Sequence, residues 1–232
     1  MLYHVAFDID FRRNSGKGLY IAIEGIDGSG KTTQVNELVS HFESLGKEVI
    51  KTGEPRKGVG FVGKLIQDVL LGKVKIPPVA FQYLMSAERS IHHEELILPA
   101  LQAGKVVISD RCFWSAVPYG ILDRIMGKGG EYDLKNAEII LCAQSILSMY
   151  HEFTVPDLTI YLNVSMETAI ARLQKLHKEK EIYEKADKLE KVVSGYMWLL
   201  ERFPKEITSV NAEQSVEQIT KQIIGNISAY GK

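Results

Sequence analysis

The sequence predicts an α/β fold in which a parallel sheet is covered by helices on both faces. Three observations carry that expectation. Short apolar runs of strand length recur along the chain, stretches of helical spacing separate them, and a glycine-rich turn stands where the first regular strand gives way to the first helix. Strands alternating with helices are joined by crossovers, which are right-handed between parallel strands.

The elements follow in order. Val5, Phe7, Ile9 and Phe11 alternate with polar or small residues, which is the period of a strand, and Asn14-Ser15-Gly16-Lys17-Gly18 reads as a turn. Residues 1–18 are therefore expected to form an N-terminal extension, either an extra edge strand or partly disordered, ahead of one domain over 19–232. Within that domain, strands are expected at 19–23, 49–50, 106–108, 158–162 and 207–210. In the first helix Val35, Leu38, Val39, Phe42 and Leu45 fall on one stripe, and Gly46 follows as its terminator. Further helices are expected over 60–71, 78–102, 134–149, 166–176, 185–202 and 216–228, with no repeats or linkers of domain-separating length.

Composition bounds the partners. A chain of 232 residues, 45% hydrophobic, can bury a proper core. Its 28 basic and 29 acidic residues nearly cancel, so no global field draws nucleic acid or an anionic membrane, and any anion site must be local. Cys112 and Cys142 form neither a zinc pattern nor a disulfide framework, which suits a reducing interior. No apolar run reaches the length of a membrane span, and Asp8 and Asp10 interrupt the place where a secretory signal would sit, so a cytoplasmic protein is expected.

The run Gly25-Ile26-Asp27-Gly28-Ser29-Gly30-Lys31-Thr32 satisfies G-x-x-x-x-G-K-[ST], with a strand before it and a helix after it, as a phosphate-binding loop requires. Gly28 and Gly30 let the backbone turn its N–H groups towards phosphate oxygens, and the helix beginning near Lys31 adds its positive end. Lys31 is expected to reach the β and γ phosphates of ATP, and Thr32 to ligate Mg2+, with Thr33 completing the binding segment. The fragment Ser15-Gly16-Lys17 lacks the first glycine and the final hydroxyl and reads as a turn. A second apolar run, Lys105 to Arg111, delivers an acid at its C-terminal end. There Asp110 can hold the metal, directly or through water, and Arg111 can neutralise charge on a transferring phosphoryl group.

From Gly18 to about Ser228, segments in order resemble the thymidylate kinase family of P-loop nucleoside monophosphate kinases. Ile23 to Thr33 is similar to that family's start, Thr52-Gly53-Glu54-Pro55 to its Thr-Arg-Glu-Pro segment, and Leu84 to Arg89 to its Phe-x-Ala-x-Arg helix. The likeness continues through Pro99-Ala100-Leu101, Asp110-Arg111 with Ser115 and Tyr119, Pro156 to Leu162, Tyr183-Glu184 of the lid, and Tyr196. The resemblance implies a five-stranded sheet of order 2-3-1-4-5, a helical lid at about 175–185, and ATP on one side of the loop with a monophosphate acceptor on the other. It implies that Asp27, Glu54, Arg56, Met85, Arg89, Arg111, Ser115, Tyr119 and Tyr183 face the acceptor, that Lys31, Asp110, Arg111, Lys175 and Lys178 act in catalysis, and that the protein is a homodimer.

Several positions depart from the family pattern. Met85 replaces a stacking Phe, Cys112 a Tyr, Gly53 an Arg whose charge Arg56 is expected to supply, and Pro118-Tyr119-Gly120 an Ala-Tyr-Gln. Gly28 stands where one branch of the family places a basic residue, a difference that shifts catalytic charge to the lid. There Ile182 replaces an expected arginine, leaving Arg172, Lys175, Lys178 and Lys180 as candidates. The pair His92-His93 lacks companion ligands and reads as solvated surface. The expected activity is ATP-dependent phosphorylation of a deoxynucleoside monophosphate, dTMP foremost. The same chemistry on another monophosphate and a catalytically silent nucleotide-binding homologue stand as alternatives. A GTP-dependent switch would need an Asn-Lys-x-Asp that the chain lacks.

Overall fold

Leu19–Glu24 (β1) is buried at every position, so it belongs at the centre of a sheet covered on both faces. The computed structural model describes residues 10–126, 137–175 and 186–231 and places β1 there. With Val49–Gly53 (β2), Val106–Asp110 (β3), Leu158–Asn163 (β4) and Ile207–Asn211 (β5) it forms a wholly parallel sheet of order β2-β3-β1-β4-β5. That is the order the resemblance implies. Register pairs Ile23 with Asp110 and Gly53 with Asp110, so β1, β2 and β3 end at one level. The crevice outside those carboxyl ends is where ligands of open α/β sheets bind.

The helices cover both faces. Lys31–Ser44 (α1) buries Val35, Leu38 and Phe42, as the stripe predicts, whereas Leu45 lies beyond its end and is exposed. Gly46 takes the left-handed conformation that ends the helix. Gly60–Leu70 (α2) and Pro78–His92 (α3) follow. The long helix expected over 78–102 runs through, but its ladder widens into a π turn at His93–Ile97 before Leu98–Gln102 (α4). Pro99 supplies a physical reason, since it has no N–H and its ring crowds the carbonyl one turn back.

Ala116–Met126 (α5) has no counterpart among the helices expected from the sequence, and it contains Pro118 and Gly120, the two poorest helix formers. Pro118 falls in the first turn, where its missing N–H costs no hydrogen bond. Ala137–Leu147 (α6) gives way to a 3-10 turn at Ser148–Tyr150, and the first residues of the helix expected at 134–149 lie outside the described ones. Met166–Lys175 (α7), Ala186–Arg202 (α8) and Val216–Tyr230 (α9) complete the cover. The last has a capping box, with Ser215 accepting from the Gln218 N–H and the Gln218 side chain accepting from the Ser215 N–H.

The strand pattern at Val5 to Ile9 lies outside the described residues. Residues 10–18 make one bridge, Arg12 to Thr154, and add no strand to the sheet. They are tied down by Phe11, whose ring packs 5.7 Å from Phe113 and 5.4 Å from Trp114, and by Asn14, which donates to Asp157 at 2.6 Å.

The reading of His92 and His93 as surface is overturned, because both are buried. Partners distant in sequence hold both rings, although His93 Nδ1 has none among the described residues. His92 Nε2 lies 2.7 Å from the Thr52 hydroxyl and its Nδ1 3.2 Å from Glu54, while His93 Nε2 accepts from the Thr154 N–H at 2.9 Å.

Candidate active site

The site begins in the backbone of the loop between β1 and α1. Gly25, Gly28 and Gly30 all have positive φ, at 147°, 83° and 98°. At Gly28 even a Cβ is excluded, because it would fall on the carbonyl oxygen of Ala169 in α7. No side chain caps α1. Gln34 is the first residue whose N–H finds a carbonyl, that of Gly30 at 3.1 Å, and the amides of Lys31, Thr32 and Thr33 have no acceptor among the described residues. The Ser29 hydroxyl is buried and likewise without a partner among them. A bare helix start with unpaired donors is an anion site.

Lys31 is buried at the loop, donating to the Ile26 carbonyl at 3.0 Å and standing 3.6 Å from Asp27 Oδ1. Burial pulls its pKa down, with Arg111 adding to that pull, while Asp27, Asp110 and Glu24 oppose it. The Thr32 hydroxyl donates to Asp110 Oδ2 at 2.8 Å, so the end of β3 and the start of α1 bring two hard oxygen ligands together.

Arg111 adopts φ of 72°, the only non-glycine positive value among the described residues. Its guanidinium bridges several elements. Nη1 donates to the Gly25 carbonyl at 2.8 Å, Tyr196 at 3.0 Å and Ser115 at 3.3 Å, and Nη2 to Asp27 at 2.6 Å and Tyr119 at 3.0 Å. Burial works against its charge, but Tyr119, Tyr196, Asp27 and Glu24 more than offset that and hold its pKa well above the usual value. Asp27 is the converse case. Burial would raise its pKa, but Arg111 and Lys31 outweigh burial and keep it far below the usual carboxylate range.

One cavity opens beside the loop. Among its lining residues are Asp27, Glu54, Met85, Arg89, Arg111, Ser115 and Tyr119, all expected from the sequence. Arg89 is fully buried, not an exposed helix cation. Its Nε donates to Glu54 at 2.9 Å and its Nη1 to the Tyr150 hydroxyl at 3.0 Å. Burial opposes its charge, yet Tyr150 and Glu54 raise its pKa above the ordinary arginine value.

Arg56 is placed differently from its expected role. It is tied to Glu88 at 2.7 Å and Glu95 at 3.2 Å and does not line the cavity, whereas its neighbour Lys57 does. Lys175 ends α7 exposed, and Lys178, Lys180, Ile182 and Tyr183 lie outside the described residues. Of the cations weighed for the lid, Arg172 touches the loop, donating to the Ser29 carbonyl at 3.3 Å and to that of Ala212 at 3.1 Å.

The sequence did not single out Glu24, which the structure places beside Arg111. This carboxylate is fully buried at the end of β1, accepting from the Cys112 N–H at 2.9 Å, Ser115 at 2.6 Å and Tyr196 at 2.8 Å, and it stands 3.8 Å from Arg111. The available signal was an acid ending a strand that is otherwise apolar. Phe81, Gln82 and Ala116 also line the cavity without having been singled out.

Compared with known proteins, the chain matches the family model described as thymidylate kinase over residues 23–223. It is 34% identical to a probable thymidylate kinase of Thermococcus gammatolerans over 216 residues, covering 90% of this chain and 95% of that one. It is 33% identical to a thymidylate kinase of a Thermoanaerobacter species, covering 92% and 99%, and 35% identical to a probable thymidylate kinase of Pyrococcus horikoshii, covering 90% and 95%.

Proposed function

Because this chain belongs to the thymidylate kinase family, we propose that it transfers the γ-phosphoryl group of ATP to the phosphate of dTMP, giving dTDP and ADP. An oxygen of the acceptor phosphate forms a bond to the γ phosphorus, and the bond from that phosphorus to the β–γ bridging oxygen breaks. The observation that carries this reading is the meeting of two compartments at three residues. Lys31, Asp27 and Arg111 lie between the bare N-terminus of α1 and the cavity lined by Arg89 and Met85. Phosphoryl transfer needs alignment and charge stabilisation more than covalent chemistry.

In this reading the amides of 31–33 and Lys31 hold the donor phosphates. Arg111 reaches the phosphates where donor and acceptor meet, with Asp27 beside it. Arg89 and Met85 hold the acceptor base, Arg89 kept in place by Glu54 and Tyr150. Thr32 and Asp110 fit Mg2+, since a hydroxyl and a carboxylate converge within 2.8 Å. Among the described residues no group of three His, Cys, Asp or Glu side chains could hold a metal alone, so phosphate oxygens and water would complete its shell. When bound, the ion neutralises charge on the β and γ oxygens.

The reading further assigns lid charge to Lys175 and Lys178, and the sugar edge to Tyr183. It also includes cytoplasmic residence and a homodimer, supported by exposed Phe61 at the start of α2 and by exposed Val79 and Tyr83 in α3. No helix among the described residues is long and apolar enough to cross a membrane.

ADP release with dTMP as acceptor is the direct test. Lys31→Ala is expected to abolish turnover while the circular dichroism spectrum stays unchanged. Turnover by Lys31→Ala close to that of the parent, or none by the parent with any monophosphate, would sink the assignment.

A further inference from the structure

Gln82 lies in α3, seven residues before Arg89 and three before Met85, on the stripe of that helix facing the cavity, and all three residues line it. Its side chain is buried, at 3% exposure, and its Oε1 has no hydrogen-bond partner among the described residues. Buried acceptors of this kind are uncommon and each calls for a reason. Its Nε2 faces Asp123 Oδ2 at 3.5 Å. That contact is long, and it fits the amide nitrogen better than the oxygen, which would oppose the carboxylate.

What lets Gln82 stand there is the absence of a side chain at position 120. A Cβ on Gly120 of α5 would come within 3.0 Å of both Gln82 Cδ and Oε1, and within 2.8 Å of Ile146 Cδ1. The carboxamide therefore fills space that residue 120 leaves between α3 and α5, at the cavity wall.

We propose that Gln82 is a specificity residue of the acceptor site, and that its unpartnered Oε1 accepts the N3–H of a pyrimidine imide while Arg89 donates to the neighbouring carbonyl. The two side chains present one acceptor and one donor, which complements the C(=O)–NH edge of thymine or uracil. Cytosine presents the reverse pattern, a ring nitrogen lone pair towards the Gln82 oxygen and an amino group towards the arginine. A site that leaves its own polar groups unpaired rejects the wrong ligand strongly. The inference rests on the acceptor reading of this cavity given above.

The test compares kcat/KM for dTMP and dCMP in the parent and in Gln82→Met, which keeps length and volume and removes the acceptor. The dTMP to dCMP ratio should fall by roughly tenfold to a hundredfold, with the KM for ATP unchanged. A purely structural glutamine predicts something else, namely equal or higher stability in Gln82→Met and an unaltered ratio, and that result overturns the proposal while leaving the kinase reading in place. A binding measurement on the parent protein needs no variant. Calorimetry with dTMP and its N3-methyl analogue should show at least tenfold weaker binding of the analogue, and equal affinities would refute the role of Gln82. A parent protein that turns over no monophosphate removes the kinase reading and this inference together.

Discussion

Glu54 Oε2 and Arg89 Nε lie 2.9 Å apart with both side chains sealed from solvent. The carboxylate also faces His92 Nδ1 at 3.2 Å, and the guanidinium also donates to Tyr150, so the pair holds β2, α3 and the turn after α6 at one point. A buried ion pair contributes little net stability against an apolar replacement, but removing one member strands the other. Glu54→Ala is therefore expected to cost about 3–5 kcal/mol in urea denaturation. The double variant Glu54→Leu with Arg89→Met should recover most of that loss yet fail to bind dTMP. A double variant as unstable as the single one would count against this account.

His93 predicts how stability depends on pH. Burial pushes its pKa down to about 4, with Glu54 opposing and with His92 and Arg12 adding to the shift. The unfolded chain takes up a proton near the ordinary value of about 6.5, which the folded chain refuses until about pH 4. The contribution is therefore complete above about pH 6.5 and is lost as pH falls towards 4, amounting to about 3 kcal/mol across that window. Urea midpoints should decline over this range in the parent and much less in His93→Phe, and parallel curves for the two proteins would contradict the assignment.

Arg111 is expected to resist its usual conservative replacement. Its two Nη atoms serve five acceptors in different directions, and a lysine ammonium cannot reach all of them from one point. Arg111→Lys should lower kcat by roughly 100-fold to 1,000-fold, the range seen when one donor to a transition-state oxygen is lost. A KM effect alone would place the guanidinium in ground-state binding only.

The lid lysines stand apart from the rest of the catalytic set, since Lys175 is exposed and Lys178 lies outside the described residues. If they carry the transferring charge, Lys175→Ala with Lys178→Ala should reduce kcat by about tenfold or more. Arg172→Ala, which frees the Ser29 carbonyl, should instead raise the KM for ATP. The reverse pattern would move the catalytic charge to Arg172.

The sheet was legible because each strand is a short apolar run with a helical stretch on either side, and β1 shows the clearest case. The phosphate loop was legible because its glycines, lysine and threonine act through the backbone and through neighbours in sequence. Residues that depend on distant partners were not legible. His92 and His93 look like surface until Thr52, Glu54 and Thr154 are seen beside them. Nor could sequence decide between Arg56 and Lys57, where adjacent cations on one turn point to different places, one to Glu88 and one to the cavity. Helix α5 was hidden by a proline and a glycine, and that glycine leaves room for a glutamine of another helix.

The contact between Gly28 and the Ala169 carbonyl limits how this chain can diverge. A basic side chain at that point of this loop would need α7 held farther away, because here the backbone of that helix already fills the space. In this chain the loop and α7 would have to change together.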